Sequence, residues 1–374
     1  MKFKHHLLSA LIAMPVAAAL AAAIVHFVPQ WRADPSSRVA RLRDLEGHFA
    51  SLADKAGPSV VAIQTRHRLA WGNRSVRRGM AEGIVGSGSG FVYAHGLILT
   101  NEHVVHDGDE ITVTWSDGKA APAEIVAADL RSDLAVLRVA RTDTPPLDLG
   151  QLEQVRSGQW VLVLGNPLGS SNGGEPALAV GVISAVGRSL PGLHAEEGRH
   201  YADLIQVSAP VVAGNSGGPV INLDGKVVGI MTAAARPDGD DIPGVAFAIP
   251  FNARTLKIIG QLAQGKPISY GYLGVHLALT GGVDRAKTGA AVLDVEQGSP
   301  AQKAGIRSRD MIVSFQGRQV VDTDQFIGEI AANPAGSEVR LTVQRGGQKV
   351  DLKALLAERP RPETRPARGA PGRP

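Results

Sequence analysis

The chain has 374 residues, enough for two or three domains, and 44% of them are hydrophobic, which supports true cores and excludes a disordered polymer. Aromatics make up only 4% while Gly numbers 44, a balance that fits short strands and frequent turns and predicts a mostly β fold. The formal net charge of +4, with much of the basic excess in the terminal flanks, argues against nucleic-acid binding, and Cys 0 removes both a disulfide framework and a thiolate nucleophile.

In chain order, Lys2 and Lys4 precede an apolar run from Leu7 to Val28, and a run of about twenty residues can span a bilayer. Residues 1–30 therefore read as a signal anchor, with a signal peptide cut after Ala21 to Ala23 as the alternative; either way the bulk of the chain is exported. Residues 31–48, with Arg32, Arg38, Arg41 and Arg43, read as a linker. Short alternating strands follow: "SVVAI", "GFVY", "LILT", "ITVTW", "AEIVAADL" and "LAVLRV". After the polar "GQLEQVRSGQ" a second series begins with "WVLVLGNP" and ends with "VAFAIP", so two all-β halves are expected. "GSGSG" at Gly86 to Gly90 lacks the Gly-Lys-Ser/Thr of a phosphate loop and reads as a turn into a strand. Leu256, Ile259 and Leu262 recur at helical spacing after Pro250, with Gly265 as the stop.

Ser216 lies in "AGNSGGPV", which satisfies the G-x-S-x-G pattern of a strand-to-helix nucleophile turn. Two features exclude that reading. The only histidine downstream is His276, inside the apolar "YLGVHLAL", and a hairpin around Asp224 and Gly225 stands where a helix is required. The opposite order, His then Asp then Ser, is present as His103 after "LILT", Asp133 before "LAVL", and Ser216. A hydroxyl is a weak nucleophile at neutral pH, so it needs an imidazole to take its proton and a carboxylate to orient that imidazole. The N–H groups of Gly214 and Ser216 are then free to converge on the oxyanion. His106 reads as a solvated turn residue, Asp129 as a surface turn, and H-x-x-H without H-E-x-x-H is a weak metal signal; no metal and no cofactor is implied.

"GSGSGF", "LILTNEHVV", "SDLAVL", "LGNPLG", "GVISAVGR", "GNSGGPVIN" and "GVAFAIPF" occur in one order between about Phe49 and Ala357. On these motifs the chain resembles the HtrA-type trypsin-like serine proteases, and within them the single-PDZ, membrane-anchored DegS-like branch. The resemblance implies a chymotrypsin-like pair of six-stranded β-barrels over residues 49–264, with His103, Asp133 and Ser216 as the triad between them. It places the primary specificity pocket at Pro210, Val211, Val212, Thr232, Ala233 and Ala234. No carboxylate is there, so a small or medium aliphatic side chain is expected at the cleavage position. The family pattern "DAAIN" is here "SAPVV", with Ser208 and Val212 replacing Asp and Asn.

Residues 265–357 resemble one PDZ domain, a fold that binds C-terminal peptides by strand addition, with Tyr272, Leu273, Gly274 and Val275 as the carboxylate loop. Tyr270 stands where the family often has Arg, and Arg309 where it usually has Gly. The branch further implies a homotrimer, Arg188 as the activation-loop arginine, and a protease anchored in the inner membrane with its domains in the periplasm. There it would cut a membrane-bound anti-sigma factor on sensing misfolded outer-membrane protein C-termini. The alternative is general periplasmic quality control by degrading unfolded proteins; the short segment between Arg66 and Gly86 favours regulation. Residues 358–374, rich in Pro and Arg, read as a disordered tail.

Overall fold

The computed structural model describes residues 35–66, 84–106, 108–150, 155–166, 175–190, 198–201, 203–210, 212, 214–232, 244–278 and 289–359. The apolar run at 7–28 and the tail beyond Arg359 lie outside these residues, as do most of the segment between Arg66 and Gly86 and pocket residues Val211, Ala233 and Ala234. Among the described residues no helix is long and apolar enough to cross a membrane.

The reading of 31–48 as a linker is corrected in one respect: helix α1 runs Pro35–Ala56. Its arginines are separated by strong helix formers such as Ala40, Leu42, Leu45 and Glu46, and Gly57 and Pro58 end it in a short 3₁₀ turn.

The next residues build two closed antiparallel barrels. The first contains β1 (Val60–Arg66), β2 (Ile84–Ala94), β3 (Leu97–Thr100), β4 (Glu110–Thr114), β5 (Ala120–Asp129) and β6 (Leu134–Val139), closed in the order β1-β2-β3-β6-β5-β4. The second contains β7 (Trp160–Gly165), β8 (Ala177–Arg188), β9 (Leu204–Val207), β10 (Pro219–Asn222), β11 (Val227–Thr232) and β12 (Ala246–Pro250), closed in the order β10-β11-β12-β9-β8-β7. Alternation explains the closure, since inward residues of facing strands share one interior. Val61, Ile63, Ile98, Val113, Ala135 and Leu137 fill the first barrel, and Val161, Val163, Ile205, Val220 and Met231 the second. Each such aliphatic burial contributes about 1.5–3 kcal/mol relative to exposure.

"GSGSG" does not form the expected turn. It lies within β2, which pairs continuously with β1 from Val60↔Phe91 to Thr65↔Gly86. Its glycines serve close approach: a Cβ on Gly88 would sit 2.6 Å from the Val104 side chain and 3.0 Å from the Ser216 carbonyl.

Helix α3 (Ala253–Ala263) starts where expected, its N-terminus capped by the Asn252 side chain on Thr255 N at 2.9 Å, and Gly265 follows it at φ 68°. Within the first barrel a short helix α2 (Glu102–Val105) links β3 to β4. Beyond α3, β14 (Val275–Leu277), β15 (Ala290–Val295), β16 (Met311–Phe315), β18 (Glu338–Arg345) and β19 (Gln348–Leu355) form one sheet, with β17 (Arg318–Gln319) beside β16. Helices α4 (Pro300–Ala304) and α5 (Thr323–Ala332) complete this unit, and Phe315 meets Phe326 edge to face at 5.8 Å in its core. A two-stranded pair joins β13 (Gly271–Tyr272) to β20 (Ala357–Glu358), so Glu358 is paired with Gly271 rather than part of the tail. Arg309 keeps the left-handed backbone that favours glycine, at φ 70°.

Candidate active site

Several residues of "TNEHVV" have separate tasks. Thr100, the last residue of β3, donates its hydroxyl to Ser89 O at 2.7 Å, and Asn101 donates its amide to Asp133 O at 3.0 Å. Thr65 caps the far end of α2 by donating to Val104 O at 2.8 Å. His103 is thereby held on a one-turn helix with its ring toward the loop between β5 and β6.

That loop presents Asp133 with φ 54°, a left-handed conformation that Asp tolerates better than branched residues, and the side chain is completely buried. Its carboxylate receives four groups. The His103 main-chain N–H donates to Oδ1 at 3.0 Å, and His103 Nδ1 lies 2.9 Å from both oxygens. The Tyr201 hydroxyl donates to Oδ2 at 2.9 Å and the Thr232 hydroxyl to Oδ2 at 3.1 Å. Burial pushes the Asp133 carboxyl up, but the hydrogen bonds and charge of His103, with the Tyr201 hydroxyl, outweigh it and hold the group below the usual carboxylate range. Tyr201, buried beside this anion, is correspondingly pushed well above its usual value.

Ser216 sits on a tight turn between β9 and β10. Gly217 there has φ 86°, and a Cβ on it would come within 2.0 Å of Ser89 O, so only glycine fits. The turn is stitched to the first barrel: Ser89 N donates to Ser216 O at 2.7 Å, Ser89 Oγ donates to Gly214 O at 2.6 Å, and Asn166 N donates to Ser89 Oγ at 2.8 Å. Gly217 N donates to Met231 O at 2.8 Å. Among the described residues, no carbonyl takes the N–H of Gly214 or Ser216. Two main-chain donors and a hydroxyl thus share one turn, the arrangement needed to stabilise an oxyanion beside a nucleophile.

The other expected positions divide. His106 is not merely a solvated turn residue, because its Nδ1 lies 2.5 Å from Glu102 Oε1. Asp129 does not orient His103; it accepts from Ser132 N and Oγ, at 2.8 and 2.6 Å, and from the Tyr270 hydroxyl. Tyr270 is buried, with the Arg131 guanidinium 5.3 Å and that of Arg254 6.0 Å from its ring centre, which accounts for a tyrosine at this place. Thr232, expected on a pocket wall, is buried and turns its hydroxyl to Asp133 instead. Pro210 and Val212 are exposed, and Ser208 Oγ accepts from Val182 N at 3.0 Å, giving the serine in "SAPVV" a structural task. Arg188 ends β8, exposed. Ser89, Tyr201 and Arg199 were not singled out by sequence. A strand in which every second residue is glycine was the available signal for Ser89, whereas nothing in "EEGRHYAD" marks the other two.

Tyr272, Leu273, Gly274 and Val275 come together as the bend from β13 into β14. The Tyr272 hydroxyl donates to Glu296, Leu273 is buried with its carbonyl accepting from Ala301 N at 2.8 Å, and Gly274 has φ 78°. A cavity of about 440 Å³ opens beside them, lined by Val275 and Leu277 on β14, Phe326 and Ile330 on α5, and Arg199 and His200. Among the described residues no cluster of His, Asp and Glu suits a metal ion.

A family model described as a trypsin-like peptidase domain matches residues 88–230, and one described as a PDZ domain matches residues 271–356. A probable periplasmic serine endoprotease, DegP-like, from Chlamydia pneumoniae is 32% identical over 356 aligned residues, 86% of this chain and 70% of the relative. Its counterpart in Hahella chejuensis is 35% identical over 312 residues, 81% of this chain and 64% of the relative. The chain spans only 54% of a further such relative, from Chlamydia muridarum. Among solved structures, the HtrA-type protease AlgW with a tripeptide aligns with a TM-score of 0.69 at 29% identity, covering 84% of this chain and 99% of that one. The serine endoprotease from Yersinia pestis aligns at 0.61 and 25% identity, covering 83% and 98%. Two closed barrels with a histidine–aspartate pair in one and a serine turn in the other, followed by a PDZ unit, agree with these matches, and the chain belongs to the HtrA-type, DegP-like family of trypsin-like serine endoproteases.

Proposed function

We propose that this chain is a periplasmic serine endopeptidase whose triad is His103, Asp133 and Ser216. His103 takes the proton of Ser216 Oγ as that oxygen attacks the scissile carbonyl, then returns it to the leaving amine. Asp133 holds the ring and stabilises the imidazolium, and the Gly214 and Ser216 N–H groups receive the oxyanion. The observation that carries the reading is the buried Asp133 carboxylate, committed to His103 Nδ1 at 2.9 Å and satisfied on its other side by Tyr201 and Thr232. In this reading Pro210 and Val212 belong to the pocket that takes a small aliphatic residue.

The PDZ unit captures the C-terminal carboxylate of a peptide at Tyr272 to Val275, in keeping with the peptide-bound state named for AlgW. A peptide activates by binding the active arrangement more tightly than the resting one, with Arg188 on the route. In this reading the protein is a trimer anchored in the inner membrane that cuts a membrane-bound anti-sigma factor. The DegP-like names of the relatives favour a second reading, degradation of unfolded periplasmic proteins.

Cleavage of an unstructured reporter, with and without peptides ending in aromatic residues, tests both. Ser216→Ala should lose activity by about 10⁴-fold or more. A variant that still cleaves would end the triad assignment, and a wild-type rate indifferent to peptide would replace regulated cleavage with general degradation.

A further inference from the structure

Glu102 and Arg199 form an ion pair that the triad does not require. Arg199 lies in the loop between β8 and β9 and Glu102 immediately precedes His103; their side chains are only 6% and 8% exposed. Arg199 Nη2 donates to Glu102 Oε2 at 3.0 Å, while its Nε lies 3.7 Å from Asp133 Oδ1. The other Glu102 oxygen meets His106 Nδ1. A chain of contacts therefore runs from His106 through Glu102, Arg199 and Asp133 to His103. A buried ion pair is a poor device for stability, because desolvation cancels most of its attraction, so its place beside the base asks for another explanation.

Without Arg199, the His103 ring would answer to two carboxylates, one in contact and one on the adjacent residue, and both favour the imidazolium. A ring already carrying its second proton cannot accept the one from Ser216. The ionisable and hydroxyl groups on the elements around it, among the described residues, are Glu102 on α2 and His106 just after it, Arg131 and Asp133 on the β5–β6 loop, Arg199, His200 and Tyr201 on the β8–β9 loop, Thr232 on β11, and Ser216. Of these, Arg199 alone is within 4 Å of both carboxylates. We propose that Arg199 is a positioning residue that offsets the charge of Asp133 and Glu102, so that His103 remains a proton acceptor in mildly acidic surroundings while staying oriented. Glu102 tunes the effect by sharing the guanidinium. The inference rests on the reading of His103 as general base.

The test is the pH dependence of kcat/KM on the reporter with the full chain, in wild type, Arg199→Gln, Arg199→Lys and Glu102→Gln, with Ser216→Ala as control. Arg199→Gln should move the acid limb upward by about one pH unit, the size of shift that one neighbouring charge produces. Glu102→Gln should move it downward, since it removes an anion and leaves Arg199 wholly to Asp133, and Arg199→Lys should restore most of the wild-type profile. Opposite displacements are not produced by loosened packing. Limbs that stay in place, or move in the same direction in both neutral variants, overturn the proposal while Ser216-dependent cleavage leaves the protease reading intact. Loss of that dependence in wild type overturns both. If Arg199→Gln fails to fold, the downward displacement in Glu102→Gln still decides.

Discussion

Replacing Ser89 with alanine isolates the coupling between the barrels. Its hydroxyl holds two groups of the second barrel, donating to Gly214 O at 2.6 Å and accepting from Asn166 N at 2.8 Å, and the residue is fully buried. The variant keeps the main-chain bond from Ser89 N to Ser216 O and adds no bulk, but leaves a buried carbonyl and a buried N–H without their partner. Each such loss costs about 1–3 kcal/mol, so the sum is about 2–6 kcal/mol, read as a lower urea midpoint at unchanged slope. In the proposed site Gly214 also supplies one of the two oxyanion N–H groups, and releasing its carbonyl lets that peptide tilt. A donor displaced by about 1 Å costs about 10²-fold, so kcat/KM should fall by about 10–100-fold even well below the unfolding midpoint. A loss of stability of the stated size with kcat/KM within twofold of wild type would refute the argument, because the bonds would then hold the barrels without shaping the turn.

Asp133→Asn keeps the shape of the site but sets an amide against His103 Nδ1, favouring the wrong tautomer; kcat should drop by about 10⁴-fold with KM nearly unchanged, as steady-state kinetics would reveal. His200 yields a stability prediction. Burial, reinforced by Arg131, Arg254 and Arg359, presses its pKa down to about 3. The unfolded chain, with an ordinary value near 6.5, therefore binds more protons below that pH, and stability is lost progressively from about pH 6.5 toward pH 3. Between pH 7 and 5 this amounts to about 2 kcal/mol, and His200→Gln should remove most of that slope in urea titrations. An identical slope in the variant would show that the imidazole stays neutral without cost.

The β pattern was legible because inward residues alternate. In β18, Val339, Leu341 and Val343 are buried while Glu338 and Arg340 are exposed, as "EVRLTVQR" suggests. Order, together with the hairpin after Ser216, set the histidine, aspartate and serine apart from the hydrolase alternative, and the structure brings His103 and Asp133 into contact. What sequence could not supply were residues whose role depends on a neighbour far along the chain. Tyr201 and Thr232 reach Asp133 across 68 and 99 residues. Ser89 was hidden in a glycine-rich stretch whose composition suggests a turn, although the glycines are there to let β2 pass close under α2 and the serine turn. Helix α1 was missed because its arginines drew a reading from charge, while its helix propensity went unused.

Asp133 belongs to the first barrel, yet two of its four donors come from the second. A shear between the barrels too small to admit water would strip Tyr201 and Thr232 from the buried carboxylate and leave His103 bonded to an anion only half satisfied. The penalty for a poorly paired buried charge is several kcal/mol, so the acid acts as a latch for the barrel interface as well as, in the proposed mechanism, an orienter for the base. The same logic holds on the serine side, where Ser89 of the first barrel fixes the turn of the second. Each barrel thus completes the other's share of the candidate site, so under the proposed mechanism misalignment of one against the other would disable the chemistry before either barrel unfolds. Arg199 and His200 of the β8–β9 loop line the same cavity as the PDZ bend at Tyr272 to Val275, so under the proposed regulation a small displacement there would reach the Asp133 latch.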